Sequence, residues 1–168
     1  MTLRVLLLRH GEAAGGLIND FDRPLTSKGQ RQVIKRGLFL RQEHIAIDHV
    51  FCSSALRTRE TLFELNLALS DAQIEFDRNL YLAQSDYLFE HLRLLDDDYR
   101  SVLLIGHNPG IHQLALDLLR QTEQNKQENQ ALSIHSSYPT AALAGLRFDC
   151  PSWSTIKPHS AALDFYQS

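Results

Sequence analysis

The chain has 168 residues, with 17 lysines and arginines against 20 aspartates and glutamates, and a formal charge of −3 when its eight histidines are neutral. This length and a hydrophobic content of 43% predict one globular domain over residues 1–168 and exclude disordered and collagen-like classes. A mildly acidic chain lacks the broad basic field that attracts nucleic acid or an anionic membrane. We therefore expect neither as a partner.

The cysteines and the N-terminus favour a cytoplasmic protein. Cys52 and Cys150 form no disulfide framework and no metal-ligand spacing, so we expect two reduced thiols. The apolar start reaches Arg9 and His10 too early for a signal sequence, and the sequence has no run of 18 apolar residues. A cytoplasmic location follows as the expectation, with a monomer as the favoured state.

Three short apolar runs predict strands that are buried on both faces of a parallel sheet. They cover residues 3–8, 49–52 and 102–105. Each run stops at small or polar residues. After Tyr138, apolar residues alternate with others and then recur around Trp153, which predicts a C-terminal β extension.

Helical periods lie between the apolar runs. They predict four helices. Two start at Ser27 and at Ser85, the second in chain order is capped by Ser54, and the last has Asn108 as its N-cap and Pro109 as its first residue. The second of these helices extends over residues 55–69. Strands that alternate with helices predict an α/β sheet with helical crossovers. Residues 121–130 have no apolar face and indicate a frayed helix end or a mobile loop.

The unusual polar residues follow the predicted strand ends, where open α/β sheets bind ligands. They are Arg9, His10, Ser53, Ser54, Arg57, His107 and Asn108. Two arginines and two histidines at one edge predict a phosphate pocket, because guanidinium groups bind phosphate through paired hydrogen bonds. Each residue alone is equally explained as a solvated or helix-capping side chain. The phosphate hypothesis therefore depends on the coincidence of three strand ends.

A histidine in such a pocket has a chemical use, because neutral imidazole attacks phosphorus. We expect His10 to attack in line through one ring nitrogen while a backbone carbonyl holds the other. His107 would then bind the transferring group together with Arg9 and Arg57, and no metal is required. The other six histidines follow no ligand spacing, and we interpret them as surface or hydrogen-bonded residues. They are His44, His49, His91, His112, His135 and His159.

Four sequence elements in register resemble the histidine phosphatase superfamily. They are Arg9-His10-Gly11 (R-H-G), Asp22 to Thr26 with Gly29 (D-x-P-L-T-x-x-G), Ser53 to Thr61 (S-x-x-x-R-x-x-x-T), and Gly106-His107-Asn108-Pro109-Gly110. The last is similar to the SixA-type phosphohistidine phosphatase branch. The resemblance implies a three-layer, phosphoglycerate mutase-like α/β fold, with a mostly parallel sheet flanked by helices.

The resemblance also implies site residues. His10 matches the phosphorylated nucleophile, Arg9 and Arg57 match the phosphate-binding arginines, and His107 matches the second pocket histidine. We further expect Arg23 to approach the pocket on a loop and Asn108 to contact the substrate. Members of this kind use no metal and no organic cofactor.

One departure from the family pattern bears on the substrate. Mutases and many esterases of the superfamily have a glutamate general acid in the segment that corresponds to residues 78–86, and this chain has no glutamate there. The imidazole of a phosphohistidine is protonated near neutrality and needs this acid less than an alkoxide does. Asp86 can still supply a proton.

We therefore expect a phosphatase that acts on phosphohistidine of another protein, in signal transduction. Two alternatives stay open. The first is a phosphatase for a small phosphomonoester, with Asp86 or a water as the acid. The second is a non-catalytic module that binds phosphorylated partners.

Overall fold

The computed structural model describes residues 2–16, 19–120 and 127–168. The strands within these residues are β1 (Thr2–Arg9), β2 (His49–Ser53), β3 (Gln73–Asp77), β4 (Ser101–Gly106), β5 (Leu143–Asp149) and β6 (Ala162–Gln167). They form one sheet in the order β3-β2-β4-β1-β5-β6. The first four in this order pair in parallel, whereas β5 and β6 add in antiparallel orientation. This confirms a mostly parallel sheet with a C-terminal β extension.

Helices cover both faces of the sheet. They are α1 (Ser27–Gln42), α2 (Leu56–Glu64), α3 (Ser85–Arg93), α4 (Gly110–Leu118) and α5 (Gln127–Ser136). Side chains of α1 and α2 pack with Leu6 and Leu8 of β1 on one face. Side chains of α3, α4 and α5 pack with Leu3, Val5 and Leu7 on the other. Strand β1 is thus buried on both faces, as predicted, and the fold has three layers.

Helix α3 starts at Ser85, as predicted, and the starts of the other three predicted helices differ from the predictions by at most one residue. Helix α1 is capped by Thr26, whose Oγ1 accepts a hydrogen bond from Gly29 N, and Ser27 is its first residue. Ala55 precedes α2 in the N-cap position that was predicted for Ser54. Helix α4 starts at Gly110, so Asn108 is not its cap, and the Asn108–Pro109 peptide bond is cis.

Two elements were wrong or absent in the sequence prediction. Helix α2 ends at Glu64 instead of residue 69, because Asn66 adopts a left-handed backbone with φ of 48°. Strand β3 was not predicted, because this short edge strand has no continuous apolar run, and its apolar residues Ile74 and Phe76 are exposed.

Three further predictions concern the segment 121–130, the two cysteines and membrane-spanning helices. Of the predicted irregular segment 121–130, residues 121–126 lie outside the described part, and α5 starts at Gln127. Cys52 and Cys150 are both free thiols, as expected. In the described ranges, none of the helices combines the length and the hydropathy that a membrane span requires.

Candidate active site

The carboxyl ends of β1, β2 and β4 meet at one edge of the sheet and border a pocket of about 420 Å³. Strand β4 lies between β1 and β2, so His107 after β4 adjoins both His10 after β1 and Ser53 at the end of β2. The sheet order therefore gathers residues that are far apart in the sequence. The pocket is lined by Arg9, His10, Glu12, Ala13, Asp20, Arg23, Arg57, Leu82, His107, Asn108 and Thr140.

His10 has a fixed tautomer. Its Nδ1 lies 2.7 Å from the carbonyl oxygen of Gly11. Because a carbonyl only accepts, Nδ1 carries the proton and Nε2 carries the lone pair. Burial, together with the charges of Arg57, Arg9 and Arg23, lowers the pKa of His10 to about 4, against the opposing effect of the Gly11 hydrogen bond. The imidazole is therefore neutral near pH 7, with Nε2 available as a nucleophile.

The loop that carries His10 is held by residues of two helices. Gly11 N donates to Oγ1 of Thr61 in α2 at 3.1 Å, and the same hydroxyl donates to Arg57 O. On the α1 side, a Cβ placed on Gly29 would lie 2.1 Å from Glu12 O. Only glycine allows this close approach of the helix to the loop. These contacts give physical reasons for the threonine and the glycine of the family elements.

His107 is a second neutral imidazole. Its ring centroid lies 5.2 Å from that of His10, and its Nε2 is hydrogen-bonded to Ser53 Oγ at 2.8 Å. Burial and the nearby His10 and Arg57 lower the pKa of His107 to about 3. Its Nδ1 is buried and has no hydrogen-bond partner within residues 2–16, 19–120 and 127–168. A phosphoryl oxygen in the pocket would provide that partner, if Nδ1 carries the proton and Nε2 accepts from the serine hydroxyl.

Two guanidinium groups flank the imidazoles. Arg57 is 3% exposed, and its Nε donates to His10 Nε2 at 3.2 Å. Arg9 donates from Nη1 to Tyr138 O at 2.9 Å. Both arginines line the pocket, and burial together with the positive charge of Arg57 lowers the pKa of Arg9. A buried arginine and a half-buried one beside the same pocket attract a dianion strongly.

Asp20 and Tyr81 also belong to the pocket region, and no motif or periodicity of the sequence marks either of them. The Asp20 carboxylate accepts hydrogen bonds from the Tyr81 hydroxyl at 2.5 Å, from Arg23 Nη1 at 2.8 Å and from Arg57 Nη2 at 3.0 Å. These hydrogen bonds, with that of Tyr81 as the largest cause, hold the pKa of Asp20 well below its usual range. In the absence of substrate, a carboxylate thus neutralises part of the charge of Arg57.

Most of the residues proposed from the sequence line the pocket, and Asp86 does not. Arg9, His10, Arg57 and His107 lie together, and Arg23 and Asn108 also line the pocket. The Asn108 amide donates to Tyr138 O, the carbonyl that also binds Arg9. Asp86, the candidate acid, is exposed in the first turn of α3 and is not one of the residues that line the pocket.

Two background histidines differ from their expectation. His91 has a buried Nε2 without a hydrogen-bond partner among the described residues. His49 was interpreted as exposed or hydrogen-bonded, but it is 3% exposed, and neither of its ring nitrogens has a hydrogen-bond partner in the described part of the chain. His112 fits the expectation, because its Nε2 lies 2.7 Å from Ile134 O.

Comparison with known proteins places this pocket in a family. The family model of the histidine phosphatase superfamily (branch 1) matches residues 5–81. An uncharacterized protein of Mycobacterium tuberculosis (strain CDC 1551 / Oshkosh) is 31% identical over 157 residues, with 93% of this chain and 96% of that protein covered. A phosphohistidine phosphatase SixA homolog of Haemophilus influenzae is 27% identical over 128 residues, with 69% of this chain and 77% of that protein covered.

The solved structures agree with the sequence comparisons. A protein of Nakamurella multipartitia that is described as a candidate phosphohistidine phosphatase SixA is 27% identical, with a TM-score of 0.85 and coverage of 100% of this chain and 96% of that one. This shared architecture confirms the phosphoglycerate mutase-like fold expected from the sequence. From the matched motifs, the relatives and the fold, the chain belongs to the histidine phosphatase superfamily, and this membership supports phosphatase activity at the pocket.

Proposed function

We propose that this phosphatase removes the phosphoryl group from phosphohistidine on another protein, through a covalent intermediate on His10. The observation that carries the proposal is the state of His10, a neutral imidazole with Nδ1 hydrogen-bonded to Gly11 O and Nε2 directed at Arg57. Imidazole in this state is a nucleophile for phosphorus, and the arginine beside it holds the phosphoryl oxygens close to it.

The first step transfers the phosphoryl group to the enzyme. The Nε2 lone pair of His10 attacks phosphorus in line, and a new P–N bond forms as the P–N bond of the substrate breaks. The electron pair of the broken bond leaves with the substrate imidazole. That imidazole departs neutral when its other nitrogen is already protonated. Arg9, Arg57 and Nδ1 of His107 stabilise the charge on the phosphoryl oxygens.

The second step frees the enzyme. A water molecule attacks phosphorus, the bond to His10 Nε2 breaks, and its electron pair returns to that nitrogen. Both protons of the water stay on the released dihydrogen phosphate, which then loses one to solvent. Nδ1 of His10 keeps its proton throughout, because that proton is hydrogen-bonded to Gly11 O. The ring therefore returns to the same tautomer.

The lining of the pocket favours a leaving group that departs without a proton donor from the enzyme. The residue that segment 78–86 contributes to the lining is Leu82, which has no proton to give. An alkoxide is a strong base and leaves slowly unless a proton donor protonates it. Imidazole titrates near neutrality and therefore leaves much more easily. The two carboxyl groups that line the pocket, Glu12 and Asp20, are ionised near neutral pH because side-chain hydrogen bonds lower their pKa values. The pocket therefore fits cleavage of a P–N bond better than cleavage of a P–O bond.

A protein substrate is compatible with the mouth of the pocket. Asp20 and Leu82 border the pocket and are each nearly half exposed, so the phosphorylated ring of a partner can approach from solvent. The similarity to proteins described as phosphohistidine phosphatases, at 27% identity, supports the same substrate class.

The test compares phosphate release from a ³²P-phosphohistidine protein with release from a panel of sugar and nucleotide phosphates. We expect faster turnover of the phosphohistidine protein, together with acid-labile ³²P on the enzyme after rapid quenching. His10→Ala should abolish both, whereas His135→Ala, which removes an exposed histidine of α5, should change neither.

Three outcomes contradict the proposal. Undiminished turnover by His10→Ala excludes the nucleophile. Preferential hydrolysis of a small phosphomonoester excludes the protein substrate. Binding of phosphorylated protein without any release identifies a non-catalytic binding module.

A further inference from the structure

A second polar cluster lies beside β3, the edge strand of the sheet. At its centre is His49, the first residue of β2, which is 3% exposed and packs against the rings of Phe51 and Tyr99. Neither ring nitrogen of His49 has a hydrogen-bond partner among the residues that the structure describes. Its Nε2 lies 3.8 Å from Glu75 Oε2, which is beyond hydrogen-bond distance. A buried imidazole directed at a carboxylate without bonding to it requires an explanation.

His91 of α3 repeats this arrangement on the other oxygen of the same carboxylate. Its Nε2 is 4.0 Å from Glu75 Oε1, and this nitrogen is also buried without a hydrogen-bond partner in the described ranges. The Glu75 carboxylate thus lies between two imidazole nitrogens and bonds to neither.

Asp77 completes the cluster. Side chains two residues apart on a strand share a face, so Asp77 lies on the same side of β3 as Glu75. Ligand atoms of Glu75, Asp77 and His91 all lie within 4.8 Å of one another. Asp77 accepts a hydrogen bond from Asn79 N through Oδ1, and its second carboxylate oxygen is available as a ligand.

We propose that Glu75, Asp77 and His91 bind a divalent transition metal ion of the zinc class, and that His49 positions Glu75. One imidazole nitrogen with two carboxylates is a donor set that zinc accepts, with water in the fourth position. His49 would donate its Nε2–H to Glu75 Oε2, in the way that outer hydrogen bonds orient metal ligands. This assignment gives a partner to the unpaired Nε2 of each of the two histidines.

The distances fit an open form of such a site. Metal–ligand bonds of about 2.0–2.2 Å place ligand atoms about 3.3–3.6 Å apart in a tetrahedron. The present spacing, up to 4.8 Å, closes to that value when the side chains move by about an ångström. Glu75 is 44% exposed and stands on an edge strand, so its side chain is free to make this movement. The ion would join β3 to α3.

The test is a zinc titration against a chromophoric chelator, repeated with Co²⁺ so that visible absorption reports the ligand field. We expect one zinc ion per chain and a rise of Tm with zinc. Glu75→Gln and His91→Ala should each weaken binding by at least about 10-fold and remove the rise of Tm. His135→Ala is the matched control for loss of a histidine, and His10→Ala tests whether the imidazoles of the active site bind the ion instead.

Each outcome decides the assignment. The proposal stands if His135→Ala and His10→Ala bind zinc like the unmodified protein and Glu75→Gln does not. It is overturned if the unmodified protein binds no zinc, if Glu75→Gln binds it equally well, or if His10→Ala abolishes the binding. Far-UV circular dichroism verifies folding of each variant. If His91→Ala does not fold, Asp77→Asn replaces it, because the amide oxygen can still accept the hydrogen bond from Asn79 N.

Discussion

Arg57 and Asp20 form an ion pair across the mouth of the pocket, with Nη2 of the arginine 3.0 Å from Oδ2 of the aspartate. The same guanidinium donates from Nε to Nε2 of His10. Arg57 therefore contacts both the proposed nucleophile and a carboxylate that occupies its anion-binding edge. A phosphoryl group that enters the pocket must compete with the carboxylate for Arg57.

Arg57→Lys should lower kcat/KM for the phosphohistidine protein by about 10²–10³, because lysine keeps the charge but loses the planar fork that binds two oxygens. Steady-state phosphate release measures the effect. Arg59→Lys is the control, since Arg59 lies on the same helix with its guanidinium over the Phe76 ring and does not line the pocket. Equal activity of Arg57→Lys and Arg59→Lys would contradict the assignment of Arg57.

Asp20→Asn should tighten the binding of inorganic phosphate or vanadate by up to about 5-fold near pH 7, because exposed ion pairs contribute about 0.2–1 kcal/mol. The amide keeps an oxygen for the Tyr81 hydroxyl but removes the charge that competes for Arg57. Isothermal titration calorimetry measures the affinity. Asp20 belongs to a single-turn 3-10 helix (Asp20–Asp22), and Asp22→Asn, which changes an exposed carboxylate of that helix, should leave the affinity unchanged. Weaker binding by Asp20→Asn would show that the carboxylate organises the arginines instead of competing with the anion.

The site residues that the sequence identified are those that directly follow buried strands. An apolar run marks where such a strand ends, so His10 and His107 were recognisable by position. Asp20 lies in a single-turn 3-10 helix and Tyr81 directly follows another (Arg78–Leu80). No apolar periodicity in the sequence brings either residue to the pocket. Their hydrogen bond depends on two loops from opposite sides of β2, which a single sequence does not relate to each other.

The difference between local sequence patterns and long-range contacts also explains an error in the fold prediction. The apolar pattern of α2 continues through residue 69, but the helix stops where Arg41 of α1 donates hydrogen bonds to the carbonyl oxygens of Leu65 and Asn66. That contact is long-range and leaves no local signal. Strand β3 was missed for a different reason, because its apolar residues Ile74 and Phe76 are exposed and Glu75 and Asp77 are only half-buried, so no buried apolar run marks the strand.

Thr61→Val should leave Gly11 N without its acceptor and loosen the loop that carries His10. A buried N–H without a partner costs about 1–3 kcal/mol, and we expect a loss of that size in the free energy of unfolding. kcat should fall as well, because Nε2 of His10 loses its fixed position. Chemical denaturation and phosphate release measure the two effects. Thr61→Ser keeps the hydroxyl and should restore most of both, whereas failure of this rescue would indicate that the threonine methyl group, and not the hydrogen bond, matters.

The ring of His10 should titrate with a midpoint near pH 4 instead of 6.5, because burial and the nearby arginines disfavour its protonated form. Protonation removes the Nε2 lone pair, so formation of the phosphoenzyme should be constant from neutral pH down to about pH 5 and fall below it. Between pH 6.5 and 4 the unfolded chain binds the proton and the folded chain does not, so the stability contributed by the neutral ring is complete above 6.5 and is lost as the pH falls. Long-range ¹H–¹⁵N NMR of the histidine rings measures the midpoint directly. A midpoint for His10 near 6.5 would mean that the imidazole is not held neutral by its surroundings, and the pH profile of the phosphatase would then fall about 2.5 pH units higher.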